Sequence, residues 1–567
     1  MDAHRREIAR RIGGTGAAAL PVLFLCLFLL YPLARILAMG IGPLLHGGSV
    51  GQVVSDTNLG RLLIASAVQA LLSTLLTLVV GLPAAYVFAR YDFPGKAVLR
   101  TLLSIPFVLP TVVVSSAFVG LFGSGGALEK AVALLTGNPD ASASLVPGLA
   151  AVLLSHLFYN LAIVVRMVSG AWSSLDPRLG EAARMLGANR ASSFLRVTAR
   201  LLLPSIAAAS ILVFAFCFSS FGVVLVLGGP RTATVETEIY KQSVYMFNLP
   251  AAAFLSGIQL VVTVLIMYGY SRLQARLSVV QNLRPEALAS RHPTTASQHV
   301  LVILCGLLPT IALVVPMLSL ALGSFITRNG VRLTYWKALF ANSGHSIFWT
   351  SPLPAALNSL VYSVETMLIS LALGIPAAYV IARGQASRKG LRGFGSGALD
   401  LLFLLPLGTS AVTLGFGFIV SFGAPPFALR GSPLLIPCAH ALVALPLVIR
   451  SLLAPLRAIN PRMRESAALL GATPTRVRLE IDLPLLRRAF ISAAAFAFTV
   501  SLGEFGATAL LTRPDMVTLP VLIYSSLSRP GELNQGQAMA LSTVLMLACG
   551  LGLAAIERFR TRSAEVF

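Results

Sequence analysis

The chain has 567 residues, of which 56% are hydrophobic and only 11% charged, and its mean hydropathy is +0.83. A soluble surface needs about a quarter of its residues charged, so a soluble globular fold is excluded. The net charge of +22 does not indicate nucleic-acid binding: the Lys and Arg residues concentrate in alternate loops between apolar runs, with no basic stripe interleaved with aromatics.

In chain order, twelve apolar runs of about 20 residues are long enough to cross a bilayer, centred near 28, 74, 110, 157, 215, 264, 312, 370, 408, 443, 498 and 545. The expected class is an all-α polytopic membrane protein. The first run follows MDAHRREIARR and extends from about Ala17 to Met39, too long for a signal-peptide core, so it is expected to be retained. The basic loops place both termini in the cytoplasm and leave Glu129, Asp140, Glu236 and Glu238 as outward acids. Cys26, Cys217, Cys305, Cys438 and Cys549 all sit in apolar runs without CxxC spacing, so neither a disulfide framework nor a metal site is expected.

The chain repeats itself. GLPAAYVFAR (Gly81 to Arg90) returns as GIPAAYVIAR (Gly374 to Arg383). At a constant offset of 284 positions, His156 maps to His440, Arg166 to Arg450, FSSFG (Phe218 to Gly222) to LGEFG (Leu502 to Gly506), and Thr234 and Tyr240 to Thr518 and Tyr524. This divides the chain into a first half (1–277), a polar Pro-containing cytoplasmic linker (278–299) and a second half (300–567). Six spans per half is an even number, so the two repeats are expected to be parallel, related by an axis along the membrane normal.

The most polar repeated segment is LDPRLGEAARMLGANRASSFLRV, returning as INPRMRESAALLGATPTRVRLEI. Asp176–Pro177 and Asn460–Pro461 are helix N-cap and first-turn pairs. Glu181 and Glu465 follow in the early turns, where the helix dipole favours acids. Ala182, Ala183, Ala467 and Ala468 form a face that a partner can approach closely, and Gly187 and Gly471 terminate the helix. A second amphipathic piece follows, with Phe194 and Val197 in one copy and Val477 and Ile481 in the other, before the next span begins.

This E-A-A, three residues, G pattern resembles the EAA loop of permease subunits of binding-protein-dependent ABC importers. Phe194, Val197 and Pro204 follow the family pattern in the first loop (near 176–204). In the second (near 460–488) Ser466 replaces an alanine, Arg478 replaces the aromatic, and Pro484 takes an earlier proline position. The resemblance covers nearly the whole chain and is to the fused type, in which one polypeptide holds both halves, as in permeases for thiamine and for ferric iron. It implies the type I importer permease fold in the bacterial inner membrane. It also implies a loop helix seated in a cleft of each of two cytoplasmic ATPase subunits, and an extracytoplasmic solute-binding protein as third partner. FSSFGVVLVLGGPRTATVETEIY and SLGEFGATALLTRPDMVTLPVLIY lean toward the thiamine group.

No G-x-x-x-x-G-K-[ST] phosphate loop occurs in the chain. ATP and Mg2+ are therefore expected on the partner ATPase, with no cofactor or metal bound here and no enzymatic activity of this chain. An ionisable residue in hydrocarbon is a functional candidate by default. Glu504 and Glu365 lead that set, with Phe505 beside Glu504 suited to a cation, and Ser219, Ser220 and Phe221 as the matching elements of the first half. The competing readings are a ferric iron permease, an ion-coupled secondary transporter, which would need a relay of buried ionisable residues, and a membrane-embedded enzyme, which would need clustered catalytic groups.

Overall fold

The structure is a computed structural model that describes residues 19–45, 58–106, 109–123, 126–136, 148–229, 232–277, 290–327, 330–340, 351–386, 399, 402–423 and 425–564. The expected outward acid Asp140 lies outside the described residues. The first half contains α1 (Ala19–Gly42), α2 (Leu59–Arg90), α3 (Thr111–Phe122), α4 (Gly148–Ser174), the loop helix α5 (Pro177–Met185), α6 (Arg190–Phe218), the short α7 (Val235–Tyr240) and α8 (Leu249–Leu277). The second contains α9 (Ala296–Gly323), α10 (Pro352–Ala386), α11 (Ala411–Phe422), α12 (Leu435–Ala458), the loop helix α13 (Pro461–Leu469), α14 (Pro474–Gly503), α15 (Gly506–Leu511), α16 (Leu519–Leu527) and α17 (Glu532–Ala564).

Eleven helices among the described residues are long and apolar enough to cross a membrane. The run expected near 408 forms a 12-residue helix, α11, displaced toward the C-terminus, because Pro406 and Gly408 hold the preceding residues in a short 3-10 turn. The run centred near 215 corresponds to α6, which starts at Arg190. The expected separate amphipathic piece is therefore continuous with the membrane helix, and α14 likewise starts at Pro474. The amphipathic piece after each loop helix is thus the first turns of a span, so a displacement of that piece passes directly into the span.

The long helices bury small and hydroxylated residues and expose large aliphatic ones. On α2, Ser66, Ala70, Ser73 and Thr77 are buried while Ile64, Val68, Leu75 and Val79 are exposed. On α10, Ser359, Ser363, Thr366 and Ser370 are buried while Leu357, Val361, Val364 and Leu368 are exposed. That is the membrane pattern: lipid solvates the aliphatic face, and small residues let helix backbones approach. The repeated glycines sit at these approaches. A Cβ on Gly81 would meet Val164 Cγ1 of α4 at 2.7 Å, and one on Gly374 would meet Val448 Cγ1 of α12 at 2.6 Å.

The halves pack by the same scheme. In the first, α2, α4 and α6 pack mutually and α6 also packs on α8; in the second, α10, α12 and α14 do so and α14 packs on α17. The first helix of each half crosses over. Helix α1 packs on α8 and on α11 of the other half, with Phe28 5.5 Å from Phe422 between ring centroids. Helix α9 packs on α17 and on α3 of the other half. Part of the 278–299 linker is described: Arg291 pairs by backbone hydrogen bonds with the end of α2, Asp92 N–H donating to Arg291 O at 3.0 Å, and its guanidinium lies over the Tyr91 ring.

Two of the expected outward acids are interior. Glu236 is 0% exposed and Glu238 is also buried. Glu236 accepts hydrogen bonds from Gln259 Nε2 (2.9 Å) on α8 and from Ser410 Oγ (2.6 Å), the N-cap of α11 in the other half. Hydropathy patterning placed these acids in a loop, whereas α7 carries them back into the protein.

Candidate functional site

The two loop helices are built alike. Asp176 Oδ1 accepts from Arg178 N–H, and Asn460 Oδ1 from Arg462 N–H, each at 3.0 Å. At the other end, Gly187 N–H donates to Arg184 O and Ala188 N–H to Ala183 O; Gly471 N–H donates to Ala468 O and Ala472 N–H to Ala467 O. This paired 5→2 and 6→1 closure requires a left-handed residue, and Gly187 (φ +89°) and Gly471 (φ +85°) supply it. New N-caps follow at once, Asn189 on Ser192 N–H and Thr473 on Arg476 N–H, and start α6 and α14.

Glu181, Ala182, Gly187, Glu465 and Gly471 are exposed, while Ala183, Ala467 and Ile481 are half-buried. Phe194 is partly exposed and stacks on Trp172 of α4, with centroids 6.0 Å apart. Arg478, at the corresponding position of the second loop, is exposed. One apolar feature was not anticipated from sequence. Met185 and Leu186 are 88% and 90% exposed, and Leu469 and Leu470 are each 89% exposed. The signal was present as two large apolar residues directly before the terminating glycine, where the chain turns away from the bundle.

The loops differ in how they are anchored. Asp482, fully buried, accepts from Arg464 Nε of α13 (2.8 Å) and from Tyr379 OH of α10 (3.3 Å). At the place of Arg464 the first loop has Gly180, whose carbonyl accepts from Ser193 Oγ at 2.9 Å. The second loop helix is held by a charged clamp reaching two spans, and the first by a neutral hydrogen bond.

At the other end of α6 and α14, about 43 Å along a 29-residue helix, lie most of the intramembrane candidates. His156 bonds Ser73 Oγ (2.8 Å) through Nδ1 and Ser220 Oγ (2.9 Å) through Nε2. His440 bonds Ser501 Oγ (2.8 Å) through Nδ1, and Thr508 Oγ1 (2.7 Å) and Glu504 Oε2 (3.1 Å) through Nε2. Glu504 also accepts from Ala507 N–H, Thr508 N–H and Thr508 Oγ1, which makes it the side-chain cap of α15. Ser219 is half-buried where α6 ends.

Phe221 and Phe505 stack on each other with centroids 5.5 Å apart and planes 16° from parallel. Tyr240 packs on Phe221 (5.2 Å) and Tyr524 on Phe505 (5.3 Å). Glu365 is not part of this group: it is half-buried on α10 near Tyr362 and Cys438, with Oε2 lacking a hydrogen-bond partner. Among the described residues no group of three or more His, Cys, Asp or Glu is placed to hold a metal ion.

Residues 77–279 match the family of binding-protein-dependent transport system inner membrane components. The similarity to individual relatives runs much further. The chain is 28% identical over 527 residues to the thiamine transport system permease protein of Brucella abortus, covering 92% of this chain and 91% of the relative. Residues 77–279 thus carry the permease domain of a binding-protein-dependent transport system. The permease is also 28% identical to the corresponding protein of Haemophilus influenzae over 515 residues (89% and 90% of the two chains). Against that of Escherichia coli it is 27% identical over 513 residues (88% of each). Over nearly its whole length it is thus similar to permeases of binding-protein-dependent transport systems.

Proposed function

We propose that this permease forms the translocation pathway for thiamine or its phosphates, delivered by an extracytoplasmic binding protein. Two copies of a cytoplasmic ATPase drive it, one on α5 and one on α13. The observation that carries the substrate reading is similarity to thiamine permeases over about nine-tenths of both chains. The docking reading rests on two surface helices with the same caps, the same glycine closure and the same exposed apolar pair. Both loop helices then face the cytoplasm, in accord with the basic loops, and both termini lie on that side.

The test is reconstitution of the permease, its ATPase and its binding protein in proteoliposomes. ATP-dependent uptake of radiolabelled thiamine, saturable and absent without the binding protein, is the expected result. Uptake of ferric iron but not of thiamine overturns the substrate reading and leaves the importer assignment standing.

A further inference from the structure

We propose that Phe221 and Phe505 are the two faces between which the transported solute passes, with Tyr240, Tyr524 and Tyr245 lining the approach to them, and that they select a flat, positively charged organic ring. This rests on the reading of the chain as the pathway of an importer. Four of the five residues are two pairs at the 284-residue offset, and the stacked pair joins one half to the other. Both phenylalanines sit in breaks of the backbone, where α6 has ended at Phe218 and α14 at Gly503. Irregular backbone at membrane depth occurs where it is buried in protein or lines a cavity. The following glycines permit the close approach: a Cβ on Gly222 would collide with Thr111 Oγ1 and meet Phe505 Cδ1 at 3.2 Å.

Exposure falls along the cluster. Tyr245 is 61% exposed, Tyr524 is half-buried, and Phe505 is 2% exposed. The Tyr245 ring meets that of Tyr240 edge-on, with centroids 5.7 Å apart. The aromatic surface therefore runs from the protein surface to the stack, on the end of the bundle remote from the loop helices.

The stacked ring faces favour a cation, and two carboxylates, each already hydrogen-bonded, lie close by in the chain. Glu236 lies one turn before Tyr240 on α7, and Glu504 directly precedes Phe505. Lys241, the cation beside Tyr240, pairs with Glu238 at 3.6 Å. A desolvated cation between two aromatic faces is attracted to both ring quadrupoles, and a neutral aliphatic solute gains nothing comparable. Parting the rings by one ring thickness admits a planar heterocycle and excludes a hydrated metal ion.

The proposal is tested in the reconstituted importer. Phe221→Leu and Phe505→Leu keep apolar volume and remove the ring, and are expected to raise the KM for thiamine uptake about tenfold or more. A KM within about twofold of the parent, in a variant that still co-purifies with the ATPase, overturns the proposal. A second measurement does not depend on the transported solute or on those variants folding. With the five native cysteines replaced, Tyr524→Cys is expected to react about tenfold faster with a cationic methanethiosulfonate during ATP turnover than at rest. Equal rates in the two states place the pathway elsewhere. Faster labelling without thiamine uptake by the parent protein retains the pathway and rejects thiamine.

Discussion

Glu504 lies 3.1 Å from His440 Nε2 and occupies the position that Ser220 occupies beside His156. One half of the permease thus uses a carboxylate where the other uses a hydroxyl. The carboxylate also receives two backbone N–H groups and one hydroxyl from the first turn of α15. The groups that bond this carboxylate are donors, so it holds the helix break in shape beside Phe505.

Glu504→Ala is accordingly expected to destabilise the permease by about 3 kcal/mol, through loss of the cap and of the histidine's charged partner. Glu504→Gln retains an acceptor oxygen but presents N–H groups to other donors, and is expected to cost about half as much. Thermal unfolding of the purified permease in detergent reads both. A Glu504→Ala protein as stable as the parent would show that the cap is dispensable.

Gly187 and Gly471 have open space where a Cβ would project, so substitution there acts through backbone conformation alone. Gly187→Ala and Gly471→Ala each force a side chain into the left-handed region at a cost of about 1–2 kcal/mol, local to the loop. The expected outcome is reduced ATPase co-purification and ATP hydrolysis less tightly linked to uptake, with an unchanged melting temperature. Full co-purification with normal coupling in both variants argues against docking at these helices.

Met185, Leu186, Leu469 and Leu470 contribute little to the permease's own core. Burying each against a partner is worth about 1.5–3 kcal/mol. Met185→Ser with Leu186→Ser is expected to weaken ATPase binding by about a hundredfold or more, and Leu469→Ser with Leu470→Ser likewise. Surface-immobilised permease titrated with the ATPase measures this directly, and thermal unfolding should register no loss.

The two loops are expected to differ under mutation. Asp482→Ala leaves Arg464 and Tyr379 without their shared acceptor and is expected to cost about 2 kcal/mol, toward the low end for a buried pair because Arg464 is partly exposed. Uptake should fall more than ATPase binding, because the loop helix loses its connection to α10 and α14. Ser193→Ala in the first loop removes one neutral hydrogen bond worth about 1 kcal/mol and should leave uptake near normal. Equal effects of the two substitutions would show that the clamp carries no special load.

Much of this architecture was legible in the residue order. The 284-residue offset pairs Phe221 with Phe505, Tyr240 with Tyr524 and His156 with His440, and these residues meet or play matching roles in the fold. The glycine closures of the loop helices were equally readable, because a short polar helix between apolar runs has few ways to end. The crossing of α1 and α9 into opposite halves was not, since a helix apolar on all sides carries no record of its neighbours. Glu236 was misplaced for a related reason: a six-residue helix folded back into the interior has the composition of a loop. Glu365 stands on α10 apart from the aromatic cluster, a separation that the residue order does not show.

The exchange of first helices has a consequence for how the polypeptide is held together. Phe28 and Tyr31 of α1 lie against Phe422 of the second half, while a Cβ on Gly323 of α9 or on Gly120 of α3 would run into Met539 of α17. The two halves are clasped, each gripping the other by its leading arm, so covalent continuity between them is mechanically redundant once folding is complete. Cleavage between residues 278 and 289 should leave a permease that migrates as one particle and still transports. What fusion provides is equal dosage of the two unlike halves and certainty that each finds its complement.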